Sequence, residues 1–344
     1  MTTMRAIRLR APGEVELARF DVPVPQRGEA LVAVEACGVC GSDVHLVDGT
    51  TAAKLPIVLG HEAAGTVYRL GPDAAGPEPG TRVAVLPYVG CGGCGRCRAG
   101  RPQACPRRQV LGVDRPGAHA DFLTVPAECL VPLPDEVPSA VGAILTDAVA
   151  TPYHAVRRSG AVAGETAVVL GLGGLGLHAV ALLTQVIGCT VIGVDPRPAA
   201  RAQATLFGAA TVLDPAAPDL LRRIREQTGD GADVAFEFVG GPDVVGTALR
   251  SLRPEGTCVV VGIGPERLAL GLRQETLVGR ELRLLGSFGC TASELTELVA
   301  LVARGRLELG TSVSRAYRPE KFVDALSETR EKRADSVRVV VTYC

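Results

Sequence analysis

Four cysteines fall within fifteen residues of this chain: Cys91, Cys94, Cys97 and Cys105, spaced C-x2-C-x2-C-x7-C. No other feature restricts the fold so tightly. Two-residue gaps let successive thiolates curl around one ion, and the interleaved glycines Gly92, Gly93 and Gly95 permit the tight backbone this needs. Four sulfurs with no open position make a closed tetrahedral zinc site, which holds a lobe together rather than doing chemistry. The competing reading is a disulfide cluster. The opening residues Met1 to Arg10 lack the apolar run of a secretory signal, and clusters of this kind in a cytosolic chain are more often metal sites.

At 344 residues the chain is long enough for two domains. Nearly half of it (47%) is apolar, and 36 basic side chains face 37 acidic ones. No basic run or patch argues for nucleic acid or an anionic membrane as partner. No stretch reaches the roughly 18 uninterrupted apolar residues of a membrane helix. The expectation is a cytoplasmic protein with reduced thiols, in which Cys37, Cys129, Cys189, Cys258, Cys290 and Cys344 are small core or surface residues and His154 and His178 are structural.

Organisation changes along the chain. Residues 1 to about 148 read as short β segments separated by Gly and Pro, among them 30–36, 65–70, 82–86 and 121–125. A helix is expected from near Ser139 past Asp147. From about Gly164 apolar strands alternate with helices: strands at 166–170, 190–195, 211–213, 232–237 and 256–261, helices at 174–188, 199–208, 217–228 and 242–252. That alternation predicts an α/β domain with a doubly wound parallel sheet. Beyond about Leu285 come helices at 293–304 and 321–331 and a strand at 336–341.

The first of the alternating strands runs into Gly171-Leu-Gly173-Gly174-Leu175-Gly176, a G-x-G-x-x-G loop opening a helix. In that context the motif is a dinucleotide fingerprint. Gly171 permits the turn, Gly173 lets a pyrophosphate approach the backbone, and Gly176 lets helix and strand pack closely. Gly174 and Leu175 begin the helix whose positive end receives the phosphates. Asp195 closes the next strand, placed to bind the adenosine ribose hydroxyls and to favour NAD over NADP. Arg197 and Arg201 lie close enough to soften that preference.

Cys40, His61 and Asp147 are of the residue types that bind a catalytic zinc with three protein ligands and one open position. Nothing in their spacing joins them, and a lone Cys is more often buried and inert.

The succession Gly38-Val-Cys-Gly-Ser-Asp-Val-His45, Gly60-His-Glu62, the four-cysteine lobe and the glycine loop resembles the zinc-dependent alcohol dehydrogenases of the medium-chain dehydrogenase/reductase superfamily, in that family's order and across essentially the whole chain. The resemblance implies a Rossmann domain, 149–285, inserted into a GroES-like β-rich catalytic domain, 1–148 plus 286–344, with the structural zinc lobe at 90–106. It implies two zinc ions per subunit and NAD, with Cys40 and His61 on the catalytic zinc. Asp147 is taken as third ligand because Leu145-Thr-Asp-Ala-Val-Ala-Thr-Pro-Tyr-His154 looks like bacterial secondary-alcohol members. Glu62 is implied as the near-metal carboxylate, Asp43 as acceptor for the His61 imidazole, Ser42 as the hydroxyl at the substrate oxygen and His45 as the outer end of a proton relay. The active site is implied to lie at the carboxyl ends of the parallel strands, in the cleft between domains. Partners are then a small alcohol or carbonyl compound and further copies of the chain, a tetramer in preference to a dimer.

Two departures stand out. Gly41 occupies the place where many members carry Arg or His against the cofactor phosphate, and His119, with Tyr88, is expected to give the pocket polar lining or else to lie on an exposed loop. A polyol, sugar or amino-alcohol dehydrogenase of the same superfamily remains an alternative, as does a catalytically dead NAD-binding regulatory or structural protein. A zinc-free reductase of this fold would lack Cys40, His61 and the cysteine lobe.

Overall fold

The computed structural model describes residues 3–268, 270–331 and 336–343. The chain divides into two compact units. Unit 1 runs to Ala150 and resumes with Gly289–Gly305 and the residues from Leu309 onward; unit 2 is Thr151–Phe288 with Arg306–Glu308.

Unit 1 is β-rich. Its larger sheet orders the strands Leu130–Pro132, Arg82–Val85, Glu62–Leu70, Glu29–Val39, Arg338–Thr342 and Val313–Tyr317, with Phe122–Pro126 also paired to Glu29–Val39. Glu29–Val39 is the centre. One edge pairs antiparallel with Glu62–Leu70 through Gly38↔Glu62, and the far end of the other edge pairs with the C-terminal strand through Val39↔Val339. Its residues Ala30, Leu31, Val32, Val34, Cys37 and Val39 are buried, a near-continuous apolar run covered on both sides. An antiparallel hairpin, Thr3–Ala11 with Glu14–Asp21, builds a second sheet with Ile57–Val58.

Two features depart from the sequence reading. Gly41–Val47 forms a short helix, because Cys40 takes an extended N-cap conformation and Asp43 reaches back to accept the Cys40 amide at 2.9 Å. The helix expected from Ser139 continues as one run to Ser159, with a π segment at Leu145–Val149. Such a segment re-aims side chains within a helix and is common at functional positions; Asp147 lies in it.

Unit 2 contains a six-stranded parallel sheet in the order Thr211–Leu213, Thr190–Val194, Thr166–Leu170, Ala232–Glu237, Leu252–Val260, Arg283–Gly286. In chain order this is 3-2-1-4-5-6, the dinucleotide-binding arrangement. Val168, Leu170, Ile192, Val194, Leu213, Ile224, Val245 and Leu249 form its core, each full burial contributing about 1.5–3 kcal/mol against the entropy of ordering. The helix Leu220–Thr228 shows the logic locally: Leu220 and Ile224, four apart, are buried, and Arg222, Arg223 and Glu226 face away.

Cys37, Cys129, Cys189, Cys258 and Cys290 are buried free thiols, as expected; Cys344 lies outside the described residues. Among the described residues no helix is long and apolar enough to cross a membrane.

Candidate functional site

The register of the unit 1 sheet gathers residues that sequence spacing left apart. Cys40 follows the central strand, His61 and Glu62 open its neighbour on one side, and Arg338 begins its neighbour on the other. The π segment adds Asp147. Ligand atoms of Cys40, His61, Glu62 and Asp147 all lie within 4.8 Å of one another, and all four residues are buried. The Asp147 Oδ2 is 3.6 Å from His61 Nε2 and 3.7 Å from Cys40 Sγ. Bonds of about 2.0–2.3 Å in a tetrahedron separate their donors by roughly 3.3–3.7 Å, a span that both of these separations match.

Charge supports the same fit. With the Cys40 thiolate formed, three anions face one buried guanidinium. Arg338 Nη2 is 3.6 Å from Cys40 Sγ and 3.9 Å from Asp147 Oδ2, and donates to Glu62 Oε1. With His61 neutral and Cys40, Glu62 and Asp147 all ionised, two negative charges are left uncompensated, and a divalent cation would remove them where protons otherwise must. Burial works against the Cys40 thiolate, yet the Arg338 charge and a hydrogen bond from His61 bring its pKa down. Burial likewise opposes the imidazolium of His61, but hydrogen bonds to Asp147 and Cys40 raise its pKa. Glu62 is pushed up by burial despite Arg338, and its Oε2 has no partner. Gly38 leaves room for it, since a Cβ there would stand 2.1 Å from that oxygen.

The remaining expected residues have these places. Ser42 Oγ lies 3.6 Å from Cys40 Sγ on the exposed side of the short helix. His45 is exposed, its Nδ1 3.1 Å from the Thr50 hydroxyl. Asp43 departs from its expected role: it caps the helix at Cys40, and both its Oδ1 and the His61 Nδ1 are buried without a hydrogen-bond partner. His119 is a correction. It is fully buried, with Nε2 3.8 Å from Cys37 Sγ, Nδ1 3.2 Å from the Tyr343 hydroxyl and its ring edge-on to Phe322. Neither nitrogen is offered to a ligand. Burial lowers its pKa to about 4, so it is a neutral core histidine rather than a pocket lining or a loop residue. Tyr88 is buried with its ring against Gly289. Arg338 was missed; its signal was one charged residue in the otherwise apolar run Val337-Arg-Val-Val-Val341.

The cysteine lobe presents a second donor set. Cys91, Cys94, Cys97 and Cys105 lie within the same 4.8 Å limit, with Cys94 Sγ 3.6 Å from Cys97 Sγ and 3.8 Å from Cys105 Sγ. Sulfurs bound at about 2.3 Å to one tetrahedral zinc stand about 3.8 Å apart, far beyond the roughly 2.05 Å of a disulfide. Arg107 donates to Cys91 Sγ from Nη2 at 3.2 Å and to Cys105 Sγ from its amide at 3.3 Å.

In unit 2 each loop glycine has a distinct reason. Gly171 has φ +91°, and a Cβ there would meet Val239 at 2.7 Å. A Cβ on Gly176 would collide with the Gly171 carbonyl at 1.8 Å, whereas Gly173 faces open space, the clearance a pyrophosphate needs. Gly173 caps the helix Gly174–Ala181, so the amides of Gly174, Leu175 and Gly176 lack intrahelical acceptors. Asp195 is buried; its Oδ2 accepts the Leu172 amide at 2.9 Å and its Oδ1 the Arg197 amide at 2.9 Å. Arg201 Nη1 is held by the Asp195 and Pro196 carbonyls and by Asp214, so it braces the loop.

A parallel sheet with a phosphate loop and a buried thiolate–imidazole–carboxylate cluster define a nucleotide-dependent metalloenzyme. Residues 26–135 match the family described as alcohol dehydrogenase GroES-like domain, and 174–304 match zinc-binding dehydrogenase. The chain is similar to the L-galactonate-5-dehydrogenase of Escherichia coli K12, 29% identical with all of both chains covered. It is 31% identical to the NAD-dependent alcohol dehydrogenase of Sulfurisphaera tokodaii, over 98% of this chain and 100% of that one. It is also similar to the crystal structure of a zinc-binding dehydrogenase from Sinorhizobium meliloti 1021 bound to NADP: TM-score 0.92, 32% identity, covering 99% and 100% of the two chains. The chain belongs to the zinc-dependent medium-chain alcohol dehydrogenase family. It is an oxidoreductase that moves hydride between an alcohol and NAD, with zinc as its metal.

Proposed function

We propose that Cys40, His61 and Asp147 hold the catalytic zinc, that Cys91, Cys94, Cys97 and Cys105 hold a structural one, and that the substrate is a secondary alcohol with polar neighbours, such as a polyol, sugar acid or amino alcohol. The observation that carries the metal assignment is the convergence of buried donor atoms from distant segments within 4.8 Å. The substrate class follows the similarity to a dehydrogenase named for the C5 hydroxyl of L-galactonate.

When bound, the zinc supplies a Lewis acid that makes an alcohol hydroxyl easier to deprotonate near neutral pH. Ser42 accepts the hydroxyl proton and His45, exposed beyond it, delivers it to solvent. Arg338 holds Glu62 beside the donor set as a spare carboxylate and keeps that charge compensated. The amides following Gly173 bind the pyrophosphate and Asp195 orients the adenosine ribose, so that the nicotinamide is presented for hydride transfer. The protein acts in the cytoplasm as a homo-oligomer, a tetramer.

The test combines zinc stoichiometry with NADH formation on a panel of alcohols. We expect two zinc ions per chain and the fastest turnover on polar secondary alcohols. Asp147→Ala should retain one zinc and lose turnover. Two retained zinc ions in Asp147→Ala with full activity would refute the ligand assignment; a preference for simple primary alcohols would refute the substrate class.

A further inference from the structure

The histidine at the outer end of the relay is tied down by its own helix. The helix Gly41–Val47 closes on a left-handed glycine: Gly49 has φ +71°, its amide donates to the Leu46 carbonyl at 3.1 Å, and the Thr50 amide donates to the His45 carbonyl at 3.0 Å. Such a closure folds the residue after the glycine back over the helical residue whose carbonyl it caps. That contact is often apolar; here it joins Thr50 to His45. The turn is also held from outside. The Gly13 amide donates to the Val47 carbonyl at 2.7 Å, a Cβ on Gly49 would meet Pro12 at 3.0 Å, and Arg330 Nη2 pairs with Asp48 Oδ1 at 2.5 Å. Thr50 is therefore placed by backbone geometry, although it is exposed.

Counting protons gives the contact a direction. Thr50 Oγ1 lies 3.1 Å from the His45 carbonyl oxygen and 3.1 Å from His45 Nδ1. The carbonyl is among the last four of its helix, which have no intrahelical donor. It collects the Thr50 hydroxyl together with the amides of Thr50 and Thr51, the latter at 3.2 Å. A hydroxyl has one proton and two acceptor lone pairs. With its proton on the carbonyl, Thr50 accepts from the ring, so Nδ1 carries the hydrogen. The lone pair of the neutral ring is then on Nε2, which makes no hydrogen bond among the described residues. Nε2 is the nitrogen able to take a proton.

We propose that Thr50 is a positioning residue for proton exit: it holds His45 as the Nδ1–H tautomer, so that Nε2 accepts the proton handed outward from Ser42 on the same helix. The proton adds to Nε2 and the ring becomes an imidazolium, with Thr50 still accepting at Nδ1. Water then takes the Nε2 proton, and the same tautomer is restored. The proposal rests on the relay reading of Ser42 and His45 and adds a residue to it. A histidine ring free in water prefers the opposite tautomer, with Nε2 protonated and unable to accept. Losing the hydroxyl therefore closes the exit in the larger share of molecules. One hydrogen bond shifts such a ratio about two- to tenfold.

Two measurements on the full-length, zinc-loaded protein test this. The first is the nitrogen-15 shift pattern of histidine-labelled protein at about pH 8.5, well above the ordinary histidine pKa near 6.5. It reports which nitrogen of each neutral ring is protonated, and His45→Gln identifies the His45 signal among the five histidines. The second is single-turnover NADH formation at the same pH on the fastest alcohol of the panel above. It compares the wild type, Thr50→Val, Thr50→Ser, His45→Gln and the His45→Gln/Thr50→Val double variant. We expect the Nδ1–H form in the wild type and Thr50→Ser, and a shift towards Nε2–H in Thr50→Val. The rate should fall about two- to tenfold in Thr50→Val, be kept by Thr50→Ser, and be no lower in the double variant than in His45→Gln alone. A threonine that merely supported the turn would slow the double variant further. A wild-type Nε2–H tautomer overturns the proposal, as does a Thr50→Val that keeps the tautomer or the rate, or a double variant with additive losses. A His45→Gln variant as fast as the wild type shows instead that the relay reading itself has failed, and the proposal falls with it.

Discussion

Removing Arg338 tests whether the buried charge cluster is built as described. Its guanidinium is 7% exposed and its partner Glu62 is fully buried. In Arg338→Met the Glu62 carboxylate loses its counter-charge while its second oxygen is already unpartnered. Breaking a buried ion pair from one side costs about 3–5 kcal/mol. Unit 1 has about 200 residues, for which 1 kcal/mol moves the midpoint by about 2–4 °C, so metal-stripped protein should melt roughly 6–20 °C lower. Zinc offers Glu62 an alternative partner, so the loaded protein should lose less. Glu62→Gln added to Arg338→Met removes the stranded charge and should recover most of the loss. The assay is calorimetry of all three proteins with and without chelator. A loss under about 1 kcal/mol in the stripped single variant, or no recovery in the double variant, would refute the argument.

The other expectations are more compact. Cys94→Ser should halve the zinc content and destabilise the lobe, read by metal analysis and by proteolysis within 90–106; zinc content unchanged at two per chain contradicts the donor set. Gly176→Val drives a side chain into the Gly171 carbonyl and should abolish saturable NADH binding while zinc content stays at two. His119→Phe should leave the alcohol preference unaltered, because both ring nitrogens face core partners. His119 also predicts a pH effect. Its folded pKa of about 4 lies below the unfolded value near 6.5, so the unfolded chain binds the proton first. Stability should fall as pH drops from 6.5 towards 4, by up to roughly 3 kcal/mol, and be flat in this contribution above 6.5. The Phe variant should lose that part of the slope, measured by urea unfolding at pH 7.5 and 5.

The nucleotide domain was legible because its evidence is local. Strands such as Thr166–Leu170 read as continuous apolar runs because both faces are covered, and the glycine loop joins one of them to its helix. Even there the pattern had limits. Asp195 was visible as a strand-end carboxylate, but its hydrogen bonds from the Arg197 side chain depend on where a flexible side chain folds back, which residue spacing does not encode. His119 failed for a related reason: Cys37, in the central strand, and Tyr343, just past the C-terminal one, reach it from far away in sequence, and nothing in Gly117-Ala-His-Ala120 announces them.

The metal cluster shows why such sites resist reading from spacing and yield to resemblance. Positions 40, 61, 147 and 338 become neighbours only through the pairings Gly38↔Glu62 and Val39↔Val339 and through the π turn that carries Asp147. A one-residue slip in either pairing would turn Glu62 or Arg338 to the opposite face of the sheet. Strand register is therefore a functional parameter here, set by the buried apolar run of Glu29–Val39. This also explains how a guanidinium can occupy the first position of an otherwise apolar strand. Arg338 is tolerated in the core because the same register that buries it delivers three anions to it, and its charge is as much a part of the donor set as the thiolate it faces.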